Sequence, residues 1–355
     1  MQNNPKKLLP LIQHGFSLVE IMVGLVIGLL ATLVIMQVFS VFEGQKRSTT
    51  GNADAQTNGS IALYSIQRDT LMAGYGLPIF DKATAPLKQC TTMTPAGTNI
   101  SPVTIVDGGT AAGASDSIVV RYGDTDWGGA PVKMVAGTAS PTAQVNFNRS
   151  CIVGNSALVI NGSSCTLTTV SAVSGSGVLP ATITLADGTN TATNASVSCL
   201  GNWTSITYSV IASQLNRNVN GVDAPVVPEI INIQAQYGIS SSVSSNQVTS
   251  WVNATGATWA APTPANRNLI KAIRVAVVAR NNLQEKDDVI SDATSTCTTA
   301  KGTVNNGPCA WDDTNVLSAA PKIDLTNNTD WKKFRYRVFD VIIPLRNIIW
   351  SAATL

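Results

Sequence analysis

The chain has 355 residues, of which only 12% are charged, and 23 basic against 21 acidic side chains leave a net charge of +2. So even a balance predicts no long-range attraction to nucleic acid. The single histidine, His14, argues against His-dependent nucleophilic triads and His-ligated metals, and the length is ample for one large globular unit or two smaller ones.

In chain order the first element is an apolar run. Lys6 and Lys7 precede the 27 residues Phe16 to Phe42, which hold one charge, Glu20, and one amide, Gln37. That run can cross a hydrocarbon core of ~30 Å at ~1.5 Å per residue. A secretory signal would have a shorter apolar region, about 7–15 residues, with its cleavage site after it. Basic residues beside a first span tend to stay cytoplasmic, so everything after Phe42 is expected outside the cytoplasm. A carboxylate within a membrane helix costs roughly 2.5–3.5 kcal/mol on insertion scales and normally marks function, which singles out Glu20. Gly24 and Gly28 give a small-xxx-small spacing that lets helices approach closely, a pattern also common by chance in so apolar a run.

Residues 43–76 read as an uneven continuation of the helix. Gly44, Gly51, Gly59 and Ser48-Thr49-Thr50 are poor helix formers, whereas Ile61, Leu63, Ile66 and Ala73 supply an irregular apolar face. Gly74, Gly76 and Pro78 predict the stop. From Lys82 to Asn202 the chain is low in charge and rich in Gly, Thr, Ser and Asn. Its apolar bursts Ile118–Val120, Ala157–Ile160 and Ile183–Leu185 predict strands. Ile206–Val210 continues the pattern, Leu215–Asn218 reads as a turn, and Val226–Tyr237 leads into a strand closed by Gly238. Ser240–Asn266 reads as a loop or weak hairpin. Leu269–Ala279 is the strongest strand signal, with Ile273, Val275 and Val277 on one face and Ala272, Arg274, Ala276 and Val278 on the other. Arg335–Ile343 is a further strand.

All six cysteines, Cys90, Cys151, Cys165, Cys199, Cys297 and Cys309, follow the apolar run. An even set outside the cytoplasm predicts disulfides among about 15 possible pairings. Loop closure ranks Cys297–Cys309 first and Cys151–Cys165 second, leaving Cys90 for Cys199. Zinc ligation lacks the CxxC spacing.

Lys6-Lys7 followed by Gly15-Phe16-Ser17-Leu18-Val19-Glu20 and the apolar run resembles the class III leader of a type IV prepilin. Further pieces resemble the PilW family of minor pilins. These are Ile66-Gln67-Arg68-Asp69 with Met72-Ala73-Gly74-Tyr75-Gly76, then Ile233-Gln234-Ala235-Gln236-Tyr237-Gly238. The strand Ala272–Arg280 and the ending Tyr336–Phe339 through Pro344-Leu345-Arg346-Asn347 complete the set. The resemblance implies an α+β chain: a long N-terminal transmembrane and amphipathic helix packed on an antiparallel β-sheet, the type IV pilin fold, with a large β-rich insertion near residues 86–201. Its implied parts are a leader, 1–15, a transmembrane stretch, 16–42, an outer half of the helix, 43–76, and a β-rich globular part, 77–355. No proline occurs between Phe16 and Leu77, although many major pilins carry one in this helix.

By the same resemblance a prepilin peptidase cuts after Gly15 and the new terminus, Phe16, is N-methylated. Glu20 then aligns the subunit by pairing with a neighbour's terminal amine, a role in which a buried ion pair fixes register more than it stabilises. Partners implied are other minor pilins, the major pilin, the inner-membrane assembly platform and a tip adhesin. The implied role is to prime type IV pilus assembly in a tip complex, with no cofactor, no metal and no enzymatic activity. The precursor is expected in the inner membrane and the mature subunit at the pilus tip.

A minor pseudopilin of the type II secretion system shares the leader and helix and is the alternative. A membrane-anchored enzyme or binding domain is a third reading. Asp124 with Asp126, or Asp287, Asp288 and Asp292, are the residues calcium would use, without EF-hand spacing. Trp127, Trp251 and Trp259 are the aromatics a sugar surface would use, against an ordinary core or interface role.

Overall fold

The computed structural model describes residues 15, 17–78, 90–148, 150–175, 180–290, 306–311, 320–321 and 323–349. Helix α1 spans Leu18–Leu71. Its residues up to Gly51 form one compact unit, and those from Asn52 belong to a second that holds the rest of the chain.

Within the second unit, Ala55, Gly59, Ala62, Ile66, Asp69 and Ala73 are buried. Spacings of three and four put them on one stripe facing the core. The apolar face expected from sequence is thereby corrected, because Ile61 is 45% exposed and small residues make most of the contact. Small residues explain why the helix runs through Gly59 despite its poor propensity. A Cβ there would overlap the Phe339 ring, and tertiary packing outweighs the roughly 1 kcal/mol propensity loss. Gly59→Leu is accordingly expected to lower stability by about 2–3 kcal/mol, read from the denaturant midpoint of the full chain in detergent; an unchanged or raised midpoint would refute this packing. The helix ends at Leu71, five residues before the expected bound at 76, and the turn that follows holds Gly74 and Gly76 at φ +79° and +77°.

Strands, numbered along the chain, form three sheets among the described residues. The four-stranded sheet has the order β14 (Ser250–Val252), β13 (Ile230–Ile239), β15 (Ile270–Arg280), β16 (Tyr336–Pro344) and is antiparallel throughout. On β15, Ile273, Val275 and Val277 join the core that holds Ala62 and Ile66 of α1. Ala276 and Val278 join a second core with Trp311, Ile323 and Leu325. Both faces of this strand are covered, with the two-residue alternation that its sequence predicts.

The five-stranded sheet has the order β12 (Val222–Pro228), β11 (Gln214–Val219), β10 (Thr204–Ile211), β3 (Ser117–Tyr122), β2 (Val103–Val106). Here Leu215–Asn218 is strand, not the expected turn. The reversals lie on either side. Ala212 and Ser213 sit at φ +50° and +58°, and Asn220 and Gly221 at +50° and +92°, each pair closing a two-residue hairpin between Ile211↔Gln214 and Val219↔Val222. Val103, Ile105, Ile118, Val120, Ile206, Tyr208 and Leu215 pack with the α1 stripe.

The third sheet has the order β4 (Val132–Lys133), β9 (Ser196–Gly201), β6 (Ser156–Asn161), β7 (Ser164–Ser174), β8 (Ala181–Leu185), β5 (Thr142–Val145), with β1 (Thr92–Thr94) parallel to β7. Two disulfides tie it, Cys90–Cys165 and Cys151–Cys199. The expected Cys151–Cys165 and Cys90–Cys199 bridges are therefore corrected. Cys165 lies with Cys90, Leu158, Ile160 and Leu200 in one core, whereas Cys151 and Cys199 lie with Ala157, Val159 and Val197 in another. Alternate residues of β6 supply the two cores, so Cys151 and Cys165 occupy opposite faces of the sheet and cannot meet through it. Cys309 is disulfide-bonded, and Cys297 lies outside the described residues.

Candidate assembly interface

Every residue from Ser17 to Arg47 is exposed. Within the helix an 18-residue window reaches a mean hydropathy of 2.7, with none of it buried. Leu18, Leu25, Met36 and Phe39 are 67–73% exposed, a contiguous apolar surface that water does not tolerate at about 25 cal/mol per Å². The helix is long and apolar enough to cross a membrane, which is compatible with a single-pass anchor. Glu20 lies in its first turn, where a negative charge is favoured by the helix dipole. The backbone N–H groups of Glu20 and Ile21 donate to the Ser17 carbonyl at 3.0 and 3.2 Å. Added Cβ atoms at Gly24 and Gly28 would meet open space. Gly15 is exposed; Phe16 lies outside the described residues.

A second set of residues holds the outer end of α1 to the sheets. Asp69 is the centre, its side chain 6% exposed. Arg68 Nε donates to Oδ1 at 3.0 Å, and Arg217 Nε to Oδ2 at 2.7 Å. Tyr208 directs its hydroxyl to the same Oδ2 at 2.7 Å, with the Ser65 carbonyl at 3.0 Å. The Asp69 carboxylate raises both arginines above the usual guanidinium range, against the burial that lowers Arg217. Burial first, and then the same carboxylate, pushes the Tyr208 phenol up. Beyond the helix end, Asn347 Nδ2 donates to the carbonyls of Leu71 and Ala73 at 3.4 and 3.1 Å, satisfying acceptors that a helix terminus leaves open. Around it, Gly123 N–H donates to the Tyr75 carbonyl at 2.7 Å, and a Cβ on Gly76 would press on Gly123. The segments that resemble the minor pilins, Ile66–Gly76, β15 and Tyr336–Asn347, thus come together at one place.

Tyr237 and Gly238 on β13 are explained by the same packing. The Tyr237 hydroxyl accepts from Ile105 N–H at 2.6 Å, and Gly238 lies under the Trp251 ring. Nearby, Asp116 joins β3 to β13: its Oδ1 accepts from Gly108 N–H at 2.9 Å and its Oδ2 from Ala235 N–H at 2.8 Å. Burial raises this carboxyl to about 6, against the pull of the two N–H groups. A carboxyl raised on folding stabilises the fold fully below its unfolded value near 4, and that stability is lost as pH rises through 6. Wild type is therefore expected to lose about 3 kcal/mol between pH 4 and 7 that Asp116→Asn does not lose. Unfolding midpoints of both proteins across that range check this, and parallel curves would refute it.

The remaining sequence candidates are dispersed. Asp124 is engaged by Asn202, which donates from N–H at 2.5 Å and Nδ2 at 2.8 Å. Among the described residues no three acidic, Cys or His side chains gather as a metal site, and Asp292 lies outside them. Trp127 stacks edge-on with Phe147 at 5.6 Å, Trp251 covers Gly238, and Trp259 lies 6.4 Å from the Tyr237 ring, so the three do not make one surface. Sequence reasoning missed Tyr208, Arg217 and Asp116. Only Asp69 carried a local signal, as an acid on the inward stripe.

Residues 186–347 match the family model of PilW, Type IV Pilus-assembly protein W. This is the family that the sequence resembles, and the match takes in a little under half of the chain. The PilW match takes in β9 to β16 with Arg217, Tyr208, Phe339 and Asn347, the sheet side of the attachment to α1. Comparison with curated proteins gave no match, and comparison with solved structures gave none.

Proposed function

We propose that this protein is a minor pilin that helps initiate type IV pilus assembly within a tip priming complex. The observation that carries this reading is the exposed apolar stretch of α1, residues 17–47, in a chain whose residues 186–347 match PilW. A surface of that kind needs lipid before assembly and neighbouring helices after it. In this reading the leader 1–15 is removed after Gly15, Phe16 is methylated, and Glu20 meets the terminal amine of the next subunit. Residues 16–42 are then the part shared between membrane and filament. The outer half of the helix on the four- and five-stranded sheets corresponds to a type IV pilin fold, and the disulfide-tied third sheet to a β-rich elaboration. The precursor would sit in the inner membrane with its globular part in the periplasm. Other minor pilins, the major pilin, the assembly platform and a tip adhesin would be the partners.

Deleting the gene is expected to abolish surface pili and twitching while export of secreted enzymes continues, and Glu20→Ala is expected to behave like the deletion at normal protein level. Lost export with intact pili would favour a type II secretion pseudopilin instead. Mass spectrometry of the mature protein is expected to find methylated Phe16 at its terminus; any other start would remove the proposed docking chemistry.

A further inference from the structure

Two arginines, Arg121 and Arg267, have no acid beside them among the described residues. Arg121, on β3, donates through Nη1 to the Ser101 carbonyl at 3.1 Å and to Thr104 Oγ1 at 2.9 Å. Arg267 ends the short helix Pro264–Arg267. It donates through Nη1 to Ser101 Oγ at 3.0 Å and through Nη2 to the Cys90 carbonyl at 3.4 Å. Among the described residues neither has a carboxylate within ion-pair distance, and Arg267 Nε is buried with no acceptor. Burial pulls Arg121 down to about 10 and lowers Arg267 as well. A guanidinium stays charged in proteins, so each carries its charge with less water than it needs and, among the described residues, no carboxylate opposite to offset it.

Arg267 also lines a cleft of about 350 Å³, at the small end of the range for ligand sites. Thr91, Thr98, Asn99, Ser101 and Thr104 give it one polar side, and Ala260, Ala261, Pro262 and Pro264 an apolar side. Arg121 is bonded to Ser101 and Thr104 of this lining, so Arg267 lines the cleft and Arg121 adds positive potential beside it.

We propose that this cleft binds a small carboxylate-bearing ligand, its acid on Arg267, its hydroxyl or amide groups on the threonine and asparagine side, and its carbon skeleton against Ala260–Pro264. A planar guanidinium matches a carboxylate in geometry as well as charge, and one reachable cation suits a monoanion. The site stands independently of the pilus reading.

Isothermal titration of the full-length protein in detergent tests it, with glucuronate and N-acetylglutamine as acidic probes and glucose and N-acetylglutaminamide as neutral ones. Saturable binding of at least one acid is expected, and which one tells a sugar from a peptide source. Neutral probes should not bind, and Arg267→Gln should weaken the acid at least about tenfold. Ala261 is exposed on the rim, so Ala261→Trp should block the cleft while leaving the fold intact, and it decides the matter should Arg267→Gln fail to fold. No saturable binding of either acid, equal binding of neutral probes, preference for inorganic phosphate, or undiminished binding to Ala261→Trp would each overturn the assignment.

Discussion

Asp69→Ala is expected to lower the unfolding free energy by about 3–5 kcal/mol. The substitution strands three groups at once. Arg217, 27% exposed at its side chain, loses its acceptor, Tyr208 at 0% exposure keeps only the Ser65 carbonyl, and Arg68 is left with a like charge nearby. Arg68→Ala should cost less than about 1 kcal/mol, because that side chain is 56% exposed and its half of the pair is screened. Denaturant unfolding of the full chain in detergent separates the two, and an Asp69→Ala midpoint equal to that of Arg68→Ala would show that burial of the acid does not dominate.

Removing either internal disulfide by paired Cys→Ser changes is expected to cost about 4 kcal/mol. The bridges close separations of 75 and 48 residues, for which the chain-entropy model gives ~4–5 kcal/mol each. Thermal unfolding with and without reductant measures the loss. Peptide mapping of the oxidised chain should recover Cys90 with Cys165 and Cys151 with Cys199. Recovery of Cys151 with Cys165 would contradict the placement of those residues on opposite faces of the third sheet.

Much of the architecture was legible because it rests on local periodicity. The apolar run around Glu20, the turn at Gly74 and Gly76, and the two-faced strand around Val275 can each be read within about ten residues. What could not be read depends on register and distance. Asp69 meets Tyr208 and Arg217 across 139 and 148 residues, and no spacing rule links them. The disulfide error has the same origin: loop length favours Cys151 with Cys165, but the face a strand residue takes follows from its pairing. The misread turn at Leu215–Asn218 is instructive, since Leu215 enters the core and Arg217, two residues on, reaches the buried acid from the same face. Its polar residues suggested a reversal, while the reversals lie on either side, the second of them at Asn220-Gly221, the stronger hairpin signal.

Closure of the helix end by Asn347 carries a consequence for the order of biogenesis. The donor and its acceptors at Leu71 and Ala73 are 276 and 274 residues apart, and Phe339, which fills the notch at Gly59, is almost as remote. Contacts of such separation form late in folding. A nascent chain would thus keep the outer end of α1 unlatched until the last large strand has been made and paired.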